Sequence, residues 1–122
     1  MMNDVNYVSK KGTMSLNNIV KFQILLYCYL NNITISESDL ECLSLLAIEE
    51  KTNLTDFCYL VASYEIFSSA QSVRNCINKC ENKKLIIKKG KSKKTIYINP
   101  ILKLQTQGNI FVDIKFLSKN DT

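Results

Sequence analysis

The sequence contains no histidine, and its three glycines, Gly12, Gly90 and Gly108, stand far apart. Without histidine, Ser-His and Cys-His nucleophile pairs cannot form. Without neighbouring glycines, no glycine-rich loop is available to cradle a phosphate. Glu49 and Glu50 are adjacent acids, but adjacent helix residues point about 100° apart, which favours a solvated face over a paired metal site. We therefore expect no enzymatic activity, no cofactor and no small-molecule substrate.

Long hydrophobic runs are also absent. The longest apolar run, residues 24–30, has seven residues, whereas a membrane-spanning helix needs about 20. The first twelve residues, MMNDVNYVSKKG, contain no apolar segment of the kind that secretion signals carry. We expect a protein that acts away from membranes, made in the cytoplasm of a cell or in a virus assembled inside one.

The cysteines form no recognisable pairing or metal motif. There are five, an odd number, and none belongs to a Cys-x-x-Cys pair. This usage is typical of a reducing compartment. Since no histidine can complete a ligand set, we expect no metal site. We interpret all five as buried small apolar side chains: Cys28, Cys42, Cys58, Cys76 and Cys80.

The basic residues are concentrated in one part of the chain. Residues 1–65 contain four lysines and eight acidic residues, whereas residues 66–103 contain nine lysines, Arg74 and one acid, Glu81. Residues 104–122 balance at zero, and the whole chain carries +5. This asymmetry predicts an anionic partner for the basic part.

Several short patterns predict helices and one strand in the first part of the chain. From Leu16, residues recur at spacings of three and four, as on one face of a helix: Ile19, Phe22, Gln23, Leu26, Tyr29 and Leu30. The run ILLYCYL within it is also rich enough in aromatic residues to form a strand. The β-branched segment ITIS, residues 33–36, is predicted to form an edge strand. Further helices are predicted over residues 39–50 and 54–64.

Two Ser-x-x-Glu/Gln sequences indicate helix starts. Ser38 with Glu41, and Ser68 with Gln71, match capping boxes, in which the two side chains each bond to a backbone N–H of the first turn. The second box precedes a predicted helix over residues 70–83.

The 70–83 helix has one clearly apolar face. Val73, Cys76, Ile77 and Cys80 follow the i, i+3, i+4, i+7 spacing of a buried stripe. The segment LIIKKGKSKKTIYIN that follows is predicted to be a β-hairpin, with arms at residues 85–87 and 96–98 and its tip at residues 90–94.

A helix, a strand, further helices and a hairpin follow one another in an order similar to that of the winged helix-turn-helix superfamily. The sequence resembles that superfamily over about residues 16–100, with residues 70–83 in the position of the recognition helix. We predict an α+β fold of three to four helices with a β-hairpin wing and a C-terminal strand extension. The predicted segments are an N-terminal arm, 1–15, a winged-helix domain, 16–103, and the extension, 104–122.

The resemblance implies a way of binding DNA. In winged helices the recognition helix enters the major groove and the wing contacts phosphates or the minor groove. The outward residues able to read bases are Gln71, Arg74, Asn75 and Asn78. The lysines able to neutralise phosphates are Lys88, Lys89, Lys91, Lys93 and Lys94. Five such contacts predict a salt slope of about −4 to −5, although a lysine-rich hairpin tip is also commonly a solvated surface.

A second resemblance concerns the origin of the chain. The QSVRN start of the 70–83 helix, the GKSKK wing and the NP…QTQGNI run are similar to small proteins of tailed bacteriophages, in particular the crAss-like phages. This resemblance implies a phage gene product and a component of the particle. It carries over no catalytic residue.

The C-terminal extension contains an alternating strand with one apolar face. Either this strand pairs with the sheet of its own domain, which we favour because exposed apolar edges are usually suppressed, or it is presented to a partner. The residues of that face, and of the predicted partner interface, are Ile110, Val112, Ile114 and Phe116.

Our first expectation is a structural subunit of the virion, such as a head–tail connector or neck ring. It would contact other virion proteins or copies of itself in a homo-oligomeric ring, with double-stranded DNA as a further partner. The alternative is a DNA-binding transcriptional regulator in the host cytoplasm, and a protein-binding anti-host factor is a third hypothesis. A regulator would need a specific site bound about a thousandfold more tightly than random sequence.

Overall fold

The computed structural model describes residues 5–7, 14–107 and 115–117, and the structural statements below concern these residues. The chain divides into two compact units. The larger unit is residues 15–106, and the smaller comprises residues 1–14 and 107–122. Within the described residues, none of the helices combines the length and the apolar character that crossing a bilayer would require.

Four helices and five strands make up the regular structure of the described residues. In chain order they are β1 (Val5–Tyr7), α1 (Leu16–Leu30), α2 (Glu37–Glu49), β2 (Lys51–Asn53), α3 (Leu54–Ser63), α4 (Ala70–Asn82), β3 (Ile86–Lys89), β4 (Thr95–Ile98) and β5 (Lys115–Leu117). Short 3-10 turns cover Lys91–Lys93 and Pro100–Leu102. The predicted α+β class is confirmed, as four helices with a three-stranded antiparallel sheet.

The sheet of the larger unit has the order β2-β4-β3, and both pairings are antiparallel. β4 is central, and its Tyr97 lies opposite Ile87 on one side and Lys51 on the other. The predicted hairpin is therefore confirmed as β3 and β4. Its turn begins at Gly90, whose φ of +89° lies in the left-handed region that favours glycine.

The predicted strand at residues 33–36 is wrong, and the third strand of the sheet is β2. Residues 33–36 instead connect α1 to α2. The Ile33 N–H donates to the Cys28 carbonyl at 2.8 Å, and Ser36 is the N-cap of α2. Ile33 and Ile35 pack their side chains against the core. The β-branched side chains are therefore used for burial, and the backbone of this segment forms no ladder.

The capping boxes are also placed differently from the prediction. The box of α2 is Ser36 with Asp39: the Asp39 N–H donates to Ser36 Oγ at 3.1 Å, and the Ser36 N–H donates to Asp39 Oδ2 at 3.0 Å. Glu41 pairs with Lys21 of α1. At α4 the cap is a single residue, Ser69, which accepts from the Ser72 N–H.

The core confirms the predicted inward face of α4 but not the predicted face of α1. Val73, Cys76, Ile77 and Cys80 are all buried, together with residues of α2, α3 and the sheet. α1 packs on α2 through a stripe of smaller side chains, spaced by four: Val20, Ile24 and Cys28.

The largest apolar residues of α1 lie on its outer side. Phe22, Leu26 and Tyr29, assigned to the apolar face by their spacing, are exposed, Tyr29 by 81%. Leu25 and Leu30 are exposed beside them. α1 is apolar on two sides, so periodicity alone could not separate the buried side from the other.

In the smaller unit, β1 pairs antiparallel with β5, and Asn6 lies opposite Phe116. β5 of the extension therefore pairs within its own chain, but with the N-terminal segment predicted to be an arm, and the favoured pairing with the sheet of the winged-helix domain is wrong for this strand. Ile110, Val112 and Ile114 of the predicted partner interface lie outside the described residues.

Candidate nucleic-acid interface

The exposed side of α4 carries two amide side chains that hydrogen-bond to each other. Gln71 Nε2 donates to Asn75 Oδ1 at 2.9 Å, one helical turn further along. Both residues are exposed. This bond leaves the Gln71 side-chain carbonyl and the Asn75 amide nitrogen unused, one acceptor and one donor group on exposed residues. This is the chemistry with which Asn and Gln recognise adenine edges.

Arg74 is less available than its outward position on α4 indicates. Its side chain is half-buried, and its guanidinium donates to Thr55 Oγ1 of α3 at 3.4 Å. As the chain's single arginine, it would have to leave this contact to bind a guanine with both of its terminal nitrogens.

Asn78 and Lys88 bind each other. The Lys88 ammonium donates to Asn78 Oδ1 and lies 3.4 Å from Glu81 Oε1. Its side chain is 12% exposed. Lys88 is on the same face of β3 as the buried Ile86, because side chains alternate along a strand. This contact holds the turn end of β3 against α4 and engages two residues of the predicted DNA-contacting set.

The remaining lysines of the hairpin project into solvent. Lys89 ends β3, and Lys91, Lys93 and Lys94 form the tip. All four are exposed, and within the described part of the chain none has a hydrogen bond or ion pair through its ammonium. We define these four residues as the wing-tip lysines.

Two further lysines in the basic part of the sequence have protein partners. Lys79 Nζ lies 3.0 Å from Asp39 Oδ1, and the Lys83 ammonium donates to the Thr34 carbonyl. In the acidic part, Lys51 lies over the Tyr97 ring at 5.4 Å. Because these charges are already compensated or shared, the wing tip is the densest group of unpartnered positive charge among the described residues.

A cluster of thiols around Asp39 escaped the sequence analysis. Asp39, in the first turn of α2, is 2% exposed. Cys76 of α4 lies 3.1 Å from Asp39 Oδ1 and, as a thiol, donates to it. Cys76 and Cys80 are recognisable as an i, i+4 pair, but the sequence gives no signal that Asp39, far away along the chain, would join them.

The cluster shifts the acidity of its members. Burial opposes ionisation of Asp39, but hydrogen bonds from Ser36, Cys76 and Lys79 outweigh burial and lower its pKa. Hydrogen bonds from the Cys42 and Cys80 thiols lower the pKa of Cys76, against burial and Asp39. The same bonds to Cys76, together with burial, raise the pKa of Cys42 and of Cys80.

Comparison of the chain with protein-family models, curated proteins and solved structures finds no match.

Proposed function

We propose that this chain is a non-enzymatic winged-helix protein that binds double-stranded DNA mainly through its wing. Support comes from the element order α2, β2, α3, α4 and the β3–β4 hairpin, which is helix, strand, helix, helix, hairpin. In this alignment α1 precedes the winged helix as an additional helix. α4 takes the position of the recognition helix and the wing-tip lysines take the position of the phosphate contacts.

The wing-tip lysines are the observation on which this proposal depends. Four exposed ammonium groups on a short hairpin repel one another, and a polyanion relieves that repulsion. They follow Lys88, which holds the turn end of β3 on α4. A duplex that contacts α4 would therefore find the wing in a defined position, rather than on a freely moving loop.

The binding is expected to discriminate little between sequences. Arg74 and Asn78 are engaged within the protein, which leaves Gln71 and Asn75 as the accessible base-reading pair. Phosphate contacts carry no sequence information. With four phosphate contacts, the logarithm of the binding constant should fall with the logarithm of salt concentration with a slope of about −3.6.

The experiment is a fluorescence anisotropy titration of the full chain against several unrelated duplexes between 50 and 300 mM salt. We expect a slope between about −3 and −4 and affinities within about tenfold of one another. No binding at 50 mM salt, or binding that does not depend on salt, would contradict the proposal. A site bound about a thousandfold more tightly than the rest would instead identify a sequence-specific regulator.

A second candidate function is a structural subunit of a bacteriophage particle, such as a head–tail connector or neck ring. The outer side of α1 favours it. We call this side the α1 outer face and define it as Phe22, Leu25, Leu26, Tyr29 and Leu30, all exposed. Contiguous exposed apolar side chains of this size mark interaction surfaces in soluble proteins. A particle subunit with a DNA-binding wing would combine both candidates.

The second candidate predicts self-association through the α1 outer face. Light scattering coupled to size-exclusion chromatography at about 100 μM should detect oligomers of the wild-type chain. Leu26→Glu together with Tyr29→Glu should return it to the monomer, because burying two carboxylates in an apolar contact costs more than the contact stabilises. Tyr59→Glu, at an exposed position of α3, is the control and should leave the oligomers intact.

A monomeric wild-type chain at that concentration would remove self-association as support for the structural candidate. Mass spectrometry of purified particles is the direct test of that candidate, since a connector subunit must be present in every particle.

A further inference from the structure

We propose that Asp39, Cys76 and Cys80 bind one thiophilic d10 metal ion, with Zn²⁺ as the type, in a site that joins α2 to α4. This inference does not depend on DNA binding. Asp39 lies in the first turn of α2, and the two cysteines lie on successive turns of α4. One ligand atom from each residue, a carboxylate oxygen and two sulfurs, lies within 4.8 Å of the others.

These separations are close to those of a tetrahedral site. Zinc bonds of about 2.3 Å to sulfur and 2.0–2.2 Å to oxygen place neighbouring ligand atoms roughly 3.5 to 3.8 Å apart. Cys76 Sγ and Asp39 Oδ1, 3.1 Å apart, would therefore separate by about half an ångström around the ion, and the other ligand atoms would approach by roughly 1 Å or less. Rotation of side chains on two packed helices can supply such a movement.

A cavity beside the site has room for a fourth ligand. A cavity of about 380 Å³ adjoins Asp39, Cys76 and Lys79. It is otherwise lined mainly by polar residues of the α2 and α4 starts: Ser36, Ser38, Ser72 and Asn75, with Phe67. The three protein ligands leave one tetrahedral position, which a water molecule entering from this cavity would fill.

The charges around the site balance with a divalent ion. On binding, Cys76 and Cys80 each release one proton to solvent and form a sulfur–metal bond, with no change of oxidation state. Two thiolates and one carboxylate then carry three negative charges against the two positive charges of the ion. The Lys79 ammonium, 3.0 Å from Asp39 Oδ1 and half exposed, supplies the remaining positive charge.

The ligand types select the class of metal. Thiolates are soft ligands that favour zinc and similar ions over magnesium or calcium, which prefer oxygen ligands. The buried Asp39 carboxylate, hydrogen-bonded to a thiol on another helix, is also stable without a metal. Ser36 and Lys79 already satisfy it. For this reason the test must distinguish a metal site from a simple buried polar cluster.

The experiment is a Co²⁺ titration of the reduced, metal-free full chain, followed through the thiolate-to-cobalt charge-transfer absorption. We expect one ion per chain, two thiolates per ion, and displacement of Co²⁺ by Zn²⁺. Cys80→Ser, Cys76→Ser and Asp39→Asn should each weaken binding at least tenfold. Cys28→Ala and Cys58→Ala, buried cysteines outside the three-ligand set, should bind as the wild type does.

Several results would overturn the proposal. One is the absence of the absorption band at millimolar Co²⁺, and another is a band that survives in Cys80→Ser. A third is a loss of Co²⁺ affinity in the Cys28→Ala and Cys58→Ala controls equal to that in the ligand variants. A band that survives Asp39→Asn but disappears in Cys42→Ser would overturn the ligand set by replacing the carboxylate with a third thiolate.

The wild-type chain supplies a second measurement in case the ligand variants fail to fold. Zn²⁺ at a hundredfold excess over its dissociation constant should raise the Tm by about 10 °C or more, because the ion binds only the folded state. Mg²⁺ at the same concentration should leave the Tm unchanged. Equal shifts with both ions, or no shift with Zn²⁺, would overturn the proposal.

Discussion

Replacing Lys91, Lys93 and Lys94 together by glutamine is expected to weaken the binding of duplex DNA by roughly 100-fold at 150 mM salt. Each lysine that neutralises a phosphate releases counterions, and the gain from that release grows as the salt concentration falls. The salt slope should therefore change from about −3.6 to about −1, which corresponds to the one remaining wing-tip lysine, Lys89. Anisotropy titrations at four salt concentrations measure both quantities.

A charge-matched variant separates the wing from the net charge of the protein. Lys51, Lys84 and Lys103 are also exposed lysines, and their triple replacement by glutamine removes the same three positive charges. We expect this control to keep most of the salt slope. Equal losses of DNA affinity in the two triple variants would mean that the overall charge, and not the wing, attracts DNA. Unchanged binding in the wing variant would contradict the proposed interface.

The second large effect concerns the packing of α1. Ile24→Ala is expected to lower the free energy of unfolding by about 2–4 kcal/mol, because Ile24 is fully buried and its truncation leaves a cavity between packed helices. Leu26→Ala, two positions away on the α1 outer face, should lower it by less than about 1 kcal/mol. Urea unfolding of both variants at equal protein concentration measures the difference.

Which of these two variants loses more free energy of unfolding tests the orientation of α1. A larger loss of unfolding free energy for Leu26→Ala would mean that α1 is rotated about its axis. The face indicated by the spacing of Phe22, Leu26 and Tyr29 would then be directed to the core. If the α1 outer face joins copies of the chain, Leu26→Ala will lose stability only at concentrations where oligomers form. Repeating the measurement at a tenfold lower concentration distinguishes these two causes.

The contrast between α4 and α1 explains how far the sequence predicts this fold. In α4 the four buried residues are separated by polar ones, so a single apolar stripe is visible and the inward face follows from its spacing. α1 has apolar residues on most positions and a single charged residue, Lys21. Which stripe is buried depends on which side of α1 packs against α2. The spacing of side chains within α1 carries no information about that packing.

Strand β2 illustrates a second reason why the sequence does not predict the whole fold. Its sequence, Lys51–Asn53, has no run of β-branched or aromatic residues. It becomes a strand because it pairs with β4, with Thr52 opposite Ile96. The ITIS segment has the stronger local preference but connects two helices. Tertiary pairing outweighs a preference of this size, since β-propensities span about 1 kcal/mol and depend on context.

The candidate interface was predictable in composition but not in detail. The sequence presents five lysines in the hairpin without distinguishing Lys88 from the rest. Alternation along β3 separates Lys88 from Lys89, but only the position of α4 decides which of them meets Asn78 and Glu81. The thiol cluster could not be predicted, because it depends on the contact between α2 and α4.

The shortness of β2 limits how copies of this chain can join. β2 is one outer strand of the sheet and offers three residues before the chain turns into α3, where the Leu54 N–H already donates to the Lys94 carbonyl. A neighbouring molecule that tried to extend the sheet there would gain very few backbone bonds. Fibre-like extension of the sheet is thereby discouraged at this edge, so copies that meet there would have to be joined by side-chain contacts.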